Sequence, residues 1–442
     1  MEGWIMAGQL LLGLSILVIL HEFGHFIAAR AFGMRVEKFY LFFDAWGVKL
    51  FSVKIGDTEY GVGWLPLGGY VKIAGMVDES MDKEAMALPP EPWEFRSKPA
   101  WQRLIVMLGG VTVNVLLGML IFSMMVFGYG EKYLPASELK NGIVALELGK
   151  EIGLQNGDKI LTIGGQKIEK YSDLISSEAY LDSDVEFEVS RDGKRISLPI
   201  PPDFLIRLSK SKTSFVDTRR TFYVKSVIPH TGASRAGLAA DDEIKELNGD
   251  QFKFFDEFKI MLSEHKGETV DLTVLRKNQT LNLQAEVDEQ GRLGFESATN
   301  DFTYVTKNYG LGESFVKGSA NAWNMLILNI KGFGKIFSGD ISFQDSVAGP
   351  IGIAKIYGGV WDWQKFWVIT GVLSMILAFM NILPIPALDG GHVIFLSLEM
   401  LSGKTLSDNF MEKSQVVGMV LLFALMTFVI GNDIWNIIRG YF

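Results

Sequence analysis

Gly3 to Leu20, Leu104 to Tyr129, Phe366 to Leu388 and Ser414 to Asn432 carry no charged side chain. Hydrocarbon offers no partner to a bare amide or carbonyl, so apolar runs of this length are expected as helices that cross a bilayer. The first run continues through Phe26 to Ala29, and inside the resulting span lies His21-Glu22-Phe23-Gly24-His25. Imidazoles four residues apart share one face of a helix and can grip one Zn²⁺. The glutamate between them then stands beside the metal, able to take a proton from a polarised water and hand it to a leaving group. A chance pair of helix histidines is the plain alternative. It fits poorly here, because a glutamate and two histidines in a lipid-embedded helix are costly unless they face partners or a polar cavity.

The H-E-x-x-H pattern points to a zinc metallopeptidase. With no cysteine among 442 residues there is no thiolate to hold zinc and no disulfide framework, so the third protein ligand must be His, Asp or Glu. Net charge is −9 and no stretch is basic enough for nucleic acid, which excludes that class of partner. No basic residue precedes the first span and no small-residue cleavage site precedes the motif, so the span is expected to be retained rather than removed as a signal peptide. Arg30, Arg35, Lys38, Arg96, Lys98 and Arg103 crowd the loop after the first span, and Lys404 and Lys413 lie between the last two. Both loops are therefore expected in the cytoplasm, with residues 130–365 and both termini on the other side. The first and third spans then both run inward and end at one depth.

Asn381-Ile382-Leu383-Pro384-Ile385-Pro386-Ala387-Leu388-Asp389-Gly390-Gly391-His392 closes the third span. Its prolines break the helix, so Asp389 is expected on irregular backbone level with His25, where its carboxylate completes a His₂Asp set for one zinc with a fourth position open to water. His392 is expected as a cap or surface group, or as a support for the metal ligands. Between Arg35 and Gly75, short strand-like runs are divided by Gly56-Asp57, Gly61-Val62-Gly63 and Leu65-Pro66-Leu67-Gly68-Gly69. This reads as a twisted β-hairpin whose Trp64, Leu65 and Leu67 touch or enter the membrane, with a sheet edge on which an extended peptide could add as a strand. Gly61, Gly63, Gly68 and Gly69 are the candidate substrate-binding glycines. Covering the cytoplasmic face is the alternative role. Residues 76–99, rich in proline, read as a loop, and Gly349 to Ala354 as a loop or helix start.

In the second span, Gly109-Gly110 permit close helix approach, and Asn114 must find a partner, either by steadying the site or by bonding a neighbouring helix. From Leu311 to Ser338 apolar residues recur with helical period, which predicts an amphipathic helix on the outer membrane surface or packed on the external domains. Those domains carry a repeat. Gly153-Leu154-Gln155-Asn156-Gly157-Asp158-Lys159-Ile160 is echoed by Gly237-Leu238-Ala239-Ala240-Asp241-Asp242-Glu243-Ile244, each followed by an alternating strand, Val185 to Val189 or Val270 to Val274, and then Arg191 or Arg276. The copies resemble the G-L-x-x-G-D-x-I signature of PDZ domains, which implies two tandem modules that bind peptide or protein ends by strand addition or act as a size filter. Asp241 stands where the signature has glycine.

H-E-x-x-H in the first span with N-x-x-P-x-P-x-L-D-G-G in the third resembles the site-2 protease family of intramembrane zinc proteases. Four spans with two PDZ modules between the second and third resemble its bacterial branch, typified by the regulator of sigma-E protease. The resemblance implies His21, His25 and Asp389 as zinc ligands and Glu22 as catalytic base. It further implies Asn381 and Asn114 as substrate contacts, although no proline matches the family's second-span motif, and a membrane-re-entrant β-loop at Gly61 to Tyr70. The expected fold is a multi-pass α-helical membrane protein with four transmembrane helices, a re-entrant β-hairpin and two tandem periplasmic PDZ (α+β) domains. Its parts are residues 1–30, 31–99 and 100–129, PDZ domains at 130–216 and 217–300, a membrane-surface region at 301–363, the third span at 364–392, and a loop and fourth span at 393–442. The expected activity is cleavage of single-span proteins, such as an anti-sigma factor already trimmed in the periplasm, or remnant signal peptides, in the bacterial inner membrane near its cytoplasmic face, with one Zn²⁺ per chain. A PDZ scaffold on an inert anchor and a zinc transporter are the competing classes. A transporter would spread polar residues over several spans, which this chain does not.

Overall fold

A computed structural model describes residues 2–76, 89–175, 186–201, 203, 204, 207, 208, 211, 213–339, 344 and 348–438. The core of the proline-rich 76–99 loop and Val185 of an expected strand thus lie outside the described residues. The chain divides into two compact units, Met1–Gly130 with Asn308–Phe442, and Glu131–Lys307.

The first unit holds α1 (Glu2–Ala31), α2 (Ala100–Tyr129), α3 (Leu311–Phe337), α4 (Pro350–Tyr357), α5 (Trp363–Ile382), α6 (Asp389–Ser402) and α7 (Asp408–Ile438). Of these, α1, α2, α5 and α7 are long and apolar enough to cross a membrane, in agreement with the charge-free runs. The hub is α2, which packs against α1, α3, α5 and α6. Small residues let these helices close up. A Cβ on Gly24 would strike the Gly109 backbone and one on Gly109 the Gly24 backbone, so α1 and α2 cross with main chains in touch. Gly118 makes room for Met375 of α5.

Two expectations change here. The amphipathic helix α3, expected on the outer membrane surface or packed on the external domains, packs along α2 and α5. Gly318 abuts Ser123 of α2, the Ser123 hydroxyl reaches the Phe315 carbonyl at 3.4 Å, and Phe333 meets Phe379 of α5 edge-on. The face that packs is made of small residues, Ser314, Gly318 and Ala322, while Phe315, Val316, Trp323 and Ile330 stay exposed. Residues after the third span, read as a loop, begin with the 14-residue helix α6. In α7 the buried Asp433 accepts hydrogen bonds from the amides of Gly349 (3.1 Å), Ile351 (2.9 Å) and Gly352 (3.2 Å), capping α4.

Residues 36–73 form not a lone hairpin but a four-stranded sheet of β1 (Val36–Phe43), β2 (Lys49–Ile55), β3 (Thr58–Gly63) and β4 (Leu65–Ile73), in the order β2-β3-β1-β4. The strand β1 lies parallel to β3 and antiparallel to β4, with Tyr40 opposite Tyr70. Its sequence, Val-Glu-Lys-Phe-Tyr-Leu-Phe-Phe, lacks the alternation that would have announced it. Polar ties brace the sheet: Tyr40 to Glu59 (2.8 Å), Lys49 to Glu59 (2.5 Å) and Tyr70 to Asp44 (2.7 Å). Hydrogen bonds from Lys49 and Tyr40 hold the Glu59 carboxyl down to about 2.

The second unit repeats one plan. Strands β5 (Lys159–Ile163), β6 (Gln166–Lys167), β7 (Glu186–Arg191) and β8 (Lys194–Pro199) are ordered β8-β7-β5-β6, and β9 (Glu243–Leu247), β10 (Asp250–Gln251), β11 (Thr269–Arg276) and β12 (Gln279–Glu286) are ordered β10-β9-β11-β12. The two orders are the same connectivity. Each sheet has its own core, one around Phe187, Phe204 and Phe215, the other around Phe222, Phe258 and Val270. The repeated aspartate has the same task in both. Asp158 takes a two-pronged bond from Arg191 (2.8 and 2.7 Å) and the Gln155 amide (2.9 Å), and Asp242 takes one from Arg276 (2.6 and 2.7 Å) and the Ala239 amide (2.8 Å). Gly157 has φ +95° and Asp241 φ +67°, so the aspartate adopts the left-handed turn its glycine counterpart uses.

Candidate metal centre

One helical turn of α1 carries His21, Glu22 and His25, and a break in the chain brings the third group to them. Pro384 and Pro386 have no N–H to continue α5, which ends at Ile382. The chain turns through residues 383–388 and α6 starts at Asp389, so the carboxylate sits on the first helical residue rather than on irregular backbone. Gly390 and Gly391 make this turn possible, since a Cβ on either would run into the backbone of residues 382–386.

The Nε2 atoms of His21 and His25 lie 3.3 Å apart, and each lies 3.3 Å from Asp389 Oδ2. Donors about 2.0–2.1 Å from a tetrahedral zinc stand roughly 3.3–3.4 Å from one another, so this triangle has the edge such an ion requires. Asp389 Oδ2 is buried and accepts no aligned hydrogen bond among the described residues, as expected of an oxygen aimed at a cation. Two nitrogens and a carboxylate oxygen are also the donor set of catalytic zinc sites. Among the described residues no other cluster of His, Asp and Glu has this form.

Behind the triangle, α2 sets the rings. The Nδ1 of His25 lies 2.8 Å from the Val106 carbonyl, and a Cβ on Gly110 would collide with both imidazoles. The Val106 hold was not legible beforehand, because a main-chain carbonyl leaves no mark in a motif, and Gly110 was expected only to let helices approach. The two asparagines also converge here. Asn114 Nδ2 lies 3.1 Å from His21 Nδ1, and Asn381 Nδ2 lies 3.4 Å from His21 Nε2. His392 is buried one turn along α6 from Asp389.

Glu22 faces the sheet. A Cβ on Gly69 would touch its side chain, and the Val71 backbone amide approaches its carboxylate as a hydrogen-bond donor. Both residues lie in β4, the strand at the sheet's edge. The four glycines therefore separate. Gly69 reaches the site, whereas Gly61, Gly63 and Gly68 make room for Tyr40 and Phe43 inside the sheet.

Two imidazoles and a carboxylate at zinc spacing, with a glutamate alongside, define a zinc-dependent protease, held here on helices apolar enough to cross a membrane. The chain belongs to the site-2 proteases: residues 9–425 match the model of peptidase family M50. It is 27% identical to a putative zinc metalloprotease of Treponema pallidum over 95% of this chain and 97% of that one. It is 27% identical to the regulator of sigma-E protease RseP of Escherichia coli, over 96% and 97%, and 26% identical to the regulator of sigma E protease of Haemophilus influenzae, over 96% and 98%.

Proposed function

We propose that this chain is an intramembrane endopeptidase of the bacterial inner membrane that holds one zinc ion on His21, His25 and Asp389 and uses Glu22 as its base. The observation that carries the reading is the 3.3 Å triangle of donors beside Glu22. When bound, the ion supplies Lewis acidity that acidifies water and polarises the scissile carbonyl. The chain's own residues do the rest. Glu22 takes the proton of the attacking water and delivers it to the leaving amine. The edge of β4 pairs with an extended stretch of substrate beside Glu22, which requires the substrate helix to unwind there.

The substrates are single-span membrane proteins cut in or near the span, of the anti-sigma factor type after a first periplasmic cut, together with remnant signal peptides. The likeness to sigma-E-regulating proteases and the edge strand support this. The four-stranded sheet is read as membrane-re-entrant: β2 exposes Leu50, Phe51 and Ile55, and Trp46 stacks on Trp64 beside them. The two sheets of like connectivity are read as PDZ modules at residues 130–216 and 217–300, in the periplasm with both termini, the site lying near the cytoplasmic face.

Metal analysis of the purified chain, with cleavage of a membrane-spanning peptide by wild type and Glu22→Gln, tests the reading. Zinc near one per chain in both proteins, and turnover lowered at least ~10³-fold in the variant, is the expected result. Retained turnover in Glu22→Gln would remove the mechanism, and absent zinc would leave a PDZ scaffold on an inert anchor.

A further inference from the structure

Both imidazoles are held from behind by one face of α2, and the two holds differ in kind. His25 meets the Val106 carbonyl, which can only accept. Its proton therefore sits on Nδ1 and its Nε2 lone pair faces His21 and Asp389. Among the described residues no carbonyl is paired with His21 Nδ1. Two turns along from Val106, past the gap at Gly110, the amide of Asn114 lies 3.1 Å from its Nδ1 instead.

Asn114 is fully buried, and its backbone carbonyl takes the Ser374 hydroxyl at 2.7 Å, which fixes its place between α2 and α5. Its Oδ1 has no partner among the described residues. Nε2 of His21 can offer a lone pair to a metal only while Nδ1 carries the proton and donates it. The group behind Nδ1 must then be an acceptor. A half-turn of the Asn114 amide about χ2 exchanges the two ends, giving up the Nδ2 contact and bringing Oδ1 to the position facing Nδ1, where it accepts the hydrogen bond it otherwise lacks.

We propose that Asn114 is a positioning residue for the metal centre: its Oδ1 accepts the Nδ1 proton of His21 and fixes the tautomer that leaves Nε2 for zinc, as the Val106 carbonyl does for His25. Asn114 thereby belongs to the ligands rather than to the substrate. Val106, Gly110 and Asn114, at i, i+4 and i+8, form one strip of α2 that complements the histidine pair of α1. This inference rests on His21 being a ligand, and its test separates the two.

Zinc affinity of the full chain in detergent, measured by competition with a chelator of known affinity, is the readout. Asn114→Leu, close in size but with no acceptor, lowers zinc affinity by about 10- to 100-fold. Asn114→Asp, which keeps an acceptor and loses the donor, stays near the wild-type value. Should the leucine variant not fold, Asn114→Ala carries the same expected loss. Zinc affinity undiminished in the leucine or alanine variant, with only KM raised, assigns the residue to substrate and overturns the proposal. Equal losses with leucine and aspartate assign it to packing and overturn it as well. A wild-type chain that takes up no zinc overturns the ligand assignment beneath it.

Discussion

Asp158 and Asp242 in the strand-rich unit and Asp389 in the helical unit are all largely withdrawn from water, yet they are held in opposite ways. Each of the first two has a guanidinium on both oxygens and a backbone amide besides. Asp389 has Oδ2 turned to two imidazole nitrogens at 3.3 Å, with no aligned donor to that oxygen among the described residues. A buried charge whose partners are all supplied by the chain is part of the scaffold. One left aimed at lone pairs marks where something must come from outside the chain.

Substitution separates the two kinds. Asp389→Ala is expected to lose bound zinc and lower turnover by at least ~10³-fold, while the melting of the metal-stripped protein changes less than in the scaffold variants, because Oδ2 holds no aligned hydrogen bond to lose. Asp158→Ala and Asp242→Ala are expected to do the reverse: each leaves a backbone amide and part of a guanidinium without their acceptor and destabilises its own sheet by about 1–3 kcal/mol, with zinc content unchanged. A metal-stripped Asp389→Ala that melts far below its parent, or an Asp158→Ala that loses zinc without losing stability, would break the contrast. Next in size, Gly110→Ala should displace both rings and cost about 1–3 kcal/mol, read as weaker zinc retention under chelator. Smallest is Asp241→Gly, which relieves a left-handed aspartate and should stabilise the second sheet by up to about 1 kcal/mol in urea titration; a destabilised variant would show that the side chain has a further task.

The candidate ligands stood out in the sequence because their chemistry is carried by side chains at fixed spacing and because charge inside an apolar run is conspicuous. Spans were legible for the same reason. Of the contribution of α2, the sequence marked Gly110 and Asn114 but not Val106, which acts through its carbonyl. Strand β1 was hidden by its lack of alternation, and α6 by the prolines before it, which announce the end of one helix and say nothing of the next. The course of α3 was hidden because the face that packs carries Ser314, Gly318 and Ala322 rather than the apolar stripe that draws the eye. Asp241 shows the converse, a mismatch in the motif that the backbone absorbs by taking the glycine's conformation.

The contact of main chain on main chain at Gly24 and Gly109 ties the ring-bearing helix to the one that aligns the rings. Such a pair has no slack to yield to an incoming polypeptide, so the reactive groups meet every candidate in one unchanging posture. On the proposed function, selection then falls on the guest: a segment that surrenders its coil readily is expected to be cut, and one that clings to it to be spared.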